Sequence, residues 1–145
     1  MHVPTEAAVL AAADSIVAAF AATDTEAYFA GFDPSASFIF HPEETRLDTR
    51  VAYEELWAGW VASGWRVTAC VSSDRLVQVF PGGAVFSHTV ATSVTTPDGD
   101  DSYVERESII FKLAEDDTLR AIHEHLSTVP NALADDARAV AEAIS

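Results

Sequence analysis

Basic residues are scarce in this chain. Lys and Arg total 8 against 23 Asp and Glu, Lys112 is the single lysine, and the formal net charge is −15. A field of that sign repels phosphate backbones and anionic headgroups, which argues against nucleic acid and membrane surfaces as partners. The acids are spread along the chain rather than gathered in a tail, a distribution that suits solubility or adaptation to salt. Cysteine is nearly absent as well. Cys70 alone cannot make an internal disulfide, which fits a reducing cytoplasm. No run of roughly 18 apolar residues occurs. The alanine-rich stretch from Ala7 to Ala22 is broken by Asp14 and Ser15 and has no basic region before it, so it reads as neither membrane span nor signal peptide. Gly and Pro number 6 each and are scattered, leaving no linker and no repeat. At 145 residues the expectation is one domain over 1–145, with a core from 5 to 130.

What is present is a change of period. From Glu6 to Ala22, residues Val9, Leu10, Ala13, Ile16, Val17 and Phe20 recur at three- and four-residue steps, which predicts a helix with one buried stripe. Thr23 and Glu26 have capping-box spacing and open a second helix at about Asp24 to Gly31, with Asp33-Pro34 as its stop. Ser37 to His41 reads as a short strand. A third helix over Arg50 to Ala62, capped by Asp48 or Thr49 and ended by Gly64, carries Tyr53, Leu56, Trp57 and Trp60 on one face.

After Gly64 the period is two. Trp65 to Phe80, Ala84 to Thr96, Ser102 to Leu113 and Leu119 to Ser127 are alternating segments separated by turn residues, an antiparallel meander. Pro130 and Asn131 open a last short helix over 131–144 with Leu133, Ala137, Val140 and Ile144 as its stripe. Helices and strands are segregated, so the class is α+β: a curved antiparallel sheet wrapped on three N-terminal helices to form a cone.

The alternation proposes an inside. In Ala84 to Thr96 the even positions Phe86, His88, Val90 and Val94 are the more apolar, which points His88 inward. In Ser102 to Leu113 the set Val104, Arg106, Ser108 and Ile110 has the lower formal charge, which would bring Arg106 inside. A buried arginine needs a partner, either an acid such as Glu124 or Glu107 or a ligand anion. His123 and His125 project from one strand face about 7 Å apart and suit proton transfer, or a hydrogen-bonded pair at a rim or interface. Two histidines fall short of a metal's three or four protein ligands, and no C-x-x-C or H-E-x-x-H spacing occurs, so neither metal nor cofactor is expected. Cys70 reads as a small buried hydrophobe, Asp74 as a solvated strand kink, and Gly82-Gly83 as a hairpin.

Leu56-Trp57 with Trp60, Arg106-Glu107-Ser108 and above all Ile122-His123-Glu124-His125-Leu126-Ser127 resemble the SnoaL-like group of the nuclear transport factor two-like superfamily, which is related to the association domain of calcium/calmodulin-dependent kinase II. The resemblance spans roughly residues 5 to 130. It implies a cone with an internal pocket, commonly dimeric through the outer face of the sheet, and no single chemistry. The kinase association domain's arginine-lined cavity favours a ligand role for Arg106. The resulting expectation is a cytoplasmic homodimer holding a small organic molecule, with a carboxylate among the candidates. Tyr53 and Trp57 would form apolar wall, His88 and Arg106 polar anchors, and His123 and His125 rim or proton-transfer groups. Cofactor-free acid–base catalysis by His88 or His125 and simple binding both stay open. The alternative is a non-catalytic oligomerisation scaffold.

Overall fold

A computed structural model describes residues 2–130, so the helix expected over 131–144 lies outside the described residues. The elements run α1 (Glu6–Ala21), α2 (Thr25–Ala30), β1 (Phe32–Phe40), α3 (Arg50–Ala62), β2 (Arg66–Phe80), β3 (Gly83–Thr96), β4 (Gly99–Leu113) and β5 (Leu119–Thr128). The strands form one unclosed sheet in the order β1-β5-β4-β3-β2. Strands β2 to β5 are the expected antiparallel meander, whereas β1 closes the far edge by pairing parallel to β5. Register shifts in β2, between Val67 and Ala69 and between Ser73 and Leu76, and in β5, where Ile122 is skipped opposite Ile110 and Phe111, bend the long strands around the helices. Asp74 sits in the second of these with φ 51 and faces solvent, the kink expected of it. No helix among the described residues is long and apolar enough to cross a membrane.

Two local expectations are corrected. Thr23 does not cap α2, because it adopts φ 52 and its hydroxyl accepts from Val67 N (2.9 Å) and donates to Val67 O (3.2 Å). Asp24 is the cap instead, accepting from Ala27 N at 3.2 Å, while Thr23 ties the α1–α2 turn to the start of β2. The second helix ends at Ala30 as expected, but the strand after it starts at Phe32 rather than Ser37, so Asp33-Pro34 lies inside β1, where the pairing with β5 skips from Phe32 to Ser37. An edge strand tolerates such a proline because no ladder bond is lost on its open side. The cap of α3 is Thr49, and Gly64 follows the helix with φ +102, as expected.

The core lies between the helices and the concave side of the sheet. Phe32, Phe38, Phe86, Phe111 and Trp57 are fully buried there. Each phenylalanine contributes roughly 1.5–3 kcal/mol by leaving water. Tyr28 stacks on Trp57 at 4.9 Å and meets Tyr53 edge-on at 5.9 Å, so α2 and α3 are joined through aromatic faces.

One glycine is required by close approach. A Cβ on Gly83 would stand 2.3 Å from the carbonyl oxygen of Phe111, a backbone atom in the neighbouring strand that cannot move aside. Gly83→Ala should therefore lower stability by more than about 2 kcal/mol in urea unfolding. Gly59→Ala, in the last turn of α3 with nothing within 4 Å of the added atom, should instead raise it by about 0.5 kcal/mol.

Candidate functional site

Between the concave face of the sheet and the helices lies a cavity of about 540 Å³. Its apolar wall comes mainly from Phe20 of α1, Tyr28 of α2, Tyr53 and Trp60 of α3, and Trp65 just before β2. These rings support one another: Trp60 lies 5.3 Å from Trp65, and Phe20 lies 6.3 Å from Trp65. His41 and Glu43, after β1, also line it.

The opposite wall is set by strand register. Thr96 pairs with Gly99 across Pro97-Asp98, and residues directly opposite share a face, so even positions of β3 match odd positions of β4. His88 therefore faces Glu107, Val90 faces Glu105, and Phe86 faces Ile109. On β5, Glu124 opposes Ile109 and Leu126 opposes Glu107. The concave face thus carries Glu105, Glu107 and Glu124, all lining the cavity.

This corrects the expected orientation of β4. Arg106 is exposed on the outer face, opposite Thr89 and Ser127. Formal charge is the wrong criterion, because the acids inside have partners or are driven toward their neutral form, whereas Ile109 and Phe111, both buried, mark the inward phase. Arg106 accordingly makes no inward ion pair with Glu107 or Glu124.

His88 points inward as expected, and its side chain is wholly buried behind Glu107. Its Nε2 lies 2.6 Å from Glu107 Oε1 and its Nδ1 2.5 Å from Ser72 Oγ. A carboxylate only accepts, so Nε2–H donates to Glu107, and in the neutral ring Nδ1 accepts from the Ser72 hydroxyl. His88 thereby orients Glu107 rather than presenting itself to the cavity. His41 Nε2 meets Glu105 Oε2 at 2.5 Å in the same manner.

His123 and His125 do share a face, but it is the outer one. Their ring centroids are 6.2 Å apart, His123 Nδ1 lies 2.8 Å from Ser37 Oγ, and His125 is exposed opposite Ser108. Burial, then the neighbouring His125, holds the His123 pKa below its ordinary value. Tyr53 lines the cavity, with its hydroxyl 3.0 Å from that of Tyr28. Trp57 is packed behind Tyr28, and its indole N–H donates to Thr25 Oγ1 at 2.8 Å. Of the six residues singled out from the sequence, Tyr53 borders the cavity, His88 and Trp57 support groups that do, and Arg106, His123 and His125 lie on the other side of the sheet.

Glu124 is the residue that sequence reasoning passed over as a site group. It is 2 % exposed, and its Oε2 has no donor. Burial first, then the nearby Glu107 with which it shares a hydrogen bond, raises its pKa well above the ordinary carboxyl value. Glu105 is also raised, chiefly by burial, against the opposing pull of His41. Burial likewise raises Tyr28 and Tyr53, and pushes the Cys70 thiol up to about 12, so Cys70 supplies no thiolate. Among the described residues no three His, Cys, Asp or Glu side chains converge to hold a metal ion. A signal was available for the two neighbours of Glu124: once Phe86 and His88 face inward, a two-residue turn forces Glu105 and Glu107 inside.

The SnoaL-like domain family model matches residues 9–132, and the chain belongs to that family. No curated protein matches. Among solved structures, an NTF2-like protein from Cytophaga hutchinsonii superposes with a TM-score of 0.74 at 13% identity, over 87% of this chain and 99% of that one. An NTF2-like protein of unknown function in nutrient uptake from Rhodospirillum rubrum gives 0.73 at 15%, over 84% and 98%. The S. rosetta CaMKII hub gives 0.70 at 18%, over 87% and 99%. At these identities the likeness establishes the NTF2-like fold alone.

A raised carboxyl pKa has a defined consequence for stability. Between the ordinary carboxyl pKa and the higher folded one, native Glu124 keeps a proton that the unfolded chain has lost, so stability falls as pH rises. Glu124→Gln removes this dependence. In urea unfolding at pH 5, 6 and 7, the wild type should lose stability relative to the variant as pH increases, and a constant difference would contradict the assignment.

Proposed function

We propose that the cavity binds a small, largely apolar organic molecule and that Glu124, with Glu107 beside it, exchanges a proton with that molecule. The observation that carries this reading is that Glu124 lines the cavity and has a buried carboxyl oxygen with no hydrogen-bond partner. Burial and the neighbouring Glu107 raise the Glu124 pKa and so favour its protonated form, which can donate a proton to a bound molecule and take one back as general acid–base catalysis requires. His88 fixes Glu107 in place, held in turn by Ser72, so the second carboxyl has a defined position. No cofactor enters the scheme. The lone Cys70 thiol suits a cytoplasmic setting.

Thermal unfolding against a panel of small apolar molecules bearing one polar group tests binding. A compound at 100 times its dissociation constant stabilises by about 2.7 kcal/mol. The shift should shrink in Trp60→Ala, which removes cavity wall, and persist in Arg106→Ala, which alters only the outer face. Loss of the shift in Arg106→Ala but not Trp60→Ala would refute the cavity as the site.

The second reading is assembly. It is favoured by the outer face of β3, where Ser87, Thr89 and Ala91 are small enough for another sheet to approach, and by the hub among the structural relatives. A homodimer through this face is its simplest form. Arg106→Glu, placing acid at the centre of that face on a chain already at −15, should halve the solution mass measured by sedimentation if the dimer forms there.

A further inference from the structure

The polar end of the cavity is unbalanced in a way that specifies its occupant. Glu105, Glu107 and Glu124 all line it, whereas no lysine or arginine does so among the described residues. The nearby arginines are committed elsewhere: Arg50 to Glu54 and Phe32 O, and Arg75 to Asp14 with its guanidinium over Phe86. His88 and His41 each provide one donor, to Glu107 and Glu105 respectively. Among the described residues no positive charge faces these three carboxyl groups from the cavity wall, and Oε2 of Glu124, a residue 2 % exposed, has no hydrogen-bond partner.

We infer that the ligand of this cavity is an apolar amine, bound as its ammonium ion against Glu124 and Glu107 with its hydrocarbon part among Trp60, Trp65 and Phe20. This rests on the cavity being the binding site, as proposed above. An ammonium group brings donors for the unpartnered Glu124 Oε2 and a positive charge that the cavity wall lacks, and aromatic faces favour the adjoining positive charge. A carboxylate ligand would meet like charge, and an alcohol brings one donor only. The charge of −15 also attracts cations toward the protein before they bind.

The inference has a pH signature. The titratable groups lining the cavity with Glu124 are Tyr28 of α2, Tyr53 of α3, Cys70 of β2, Tyr103, Glu105 and Glu107 of β4, and His41 and Glu43 after β1, with His88 of β3 behind Glu107. The side chains that α1 contributes, Ile16, Val17 and Phe20, do not titrate. A bound cation favours the ionised acids, so binding expels protons and affinity should rise with pH while the amine stays protonated.

Calorimetry with tryptamine, tryptophol and indole-3-acetate, one ring system with three head groups, decides the matter. Tryptamine should bind the wild-type protein roughly tenfold or more tightly than tryptophol at pH 8. Its affinity should rise from pH 5.5 to pH 8, with tryptophol showing no such rise, and Glu124→Gln should erase the preference. Tryptophol or indole-3-acetate binding as tightly as tryptamine would overturn the amine assignment and leave the cavity reading standing. A tryptamine preference that survives unchanged in both Glu124→Gln and Glu107→Gln would overturn it too, since the cation would then sit on the acidic surface. No binding of any of the three, at up to millimolar concentration, would remove both the inference and the cavity reading. The wild-type pH dependence decides independently if a variant fails to fold.

Discussion

The register between β3 and β4 governs nearly everything that follows in this molecule. Pro97-Asp98 makes the shortest hairpin loop, Thr96 accepts from Asp98 N and donates to Gly99 O, and Gly99 takes the left-handed φ of +119 that the turn demands. A slip of one residue would exchange the faces of β4, carrying Arg106 into the cavity and Ile109 and Phe111 into solvent. The buried pair of Phe86 and Ile109 opposes that slip from inside the core. Turn chemistry and apolar packing therefore agree, and the carboxyl groups are taken inside as a result of that agreement.

Keeping three acids beside an apolar cavity is expensive unless each is compensated, because desolvating a charge costs several kcal/mol, roughly, in real proteins. The fold uses two devices. Glu105 and Glu107 accept from His41 and His88, each held by another element. Glu124 has no such partner and is driven toward its neutral form. These devices explain how strand β4 can read as strongly acidic on its inward face and still be a core strand. They also separate this chain from any simple transfer of chemistry along the family, since SnoaL-like membership establishes the architecture and leaves the lining to be read residue by residue.

Much of the fold was legible because long periodic segments declare themselves. The ends of α1, α3 and β2 to β5 fall within a few residues of where periodicity and turn residues put them. The parallel pairing of β1 with β5 was not legible, since a short apolar segment between prolines carries no information about a partner far along the chain. The site was half legible. Tyr53 and the inward turn of His88 follow from helical and strand phase. Arg106 was turned the wrong way because charge was weighed above the parity that a two-residue turn imposes, and the face of His123 and His125 was left open because it depends on the pairing of β5 with β4. Glu124 was hidden between the histidines, where its role depends on β5 being read in register with β4 rather than by its own composition.

The parallel edge has one more consequence, in the order of events during synthesis. Strand β1 leaves the ribosome early, yet Ser37 meets His123 across a separation of 86 residues. Until β5 is made, β1 has only α3 and the helices around it to pack against, and Phe32 and Phe38 lack their sheet. Loops this long close slowly, so completion of the sheet waits for the last strand. The cavity is therefore a late structure: a nascent chain stopped before residue 119 would have the aromatic wall from α1 to α3 and most of the acids on β4, but not Glu124.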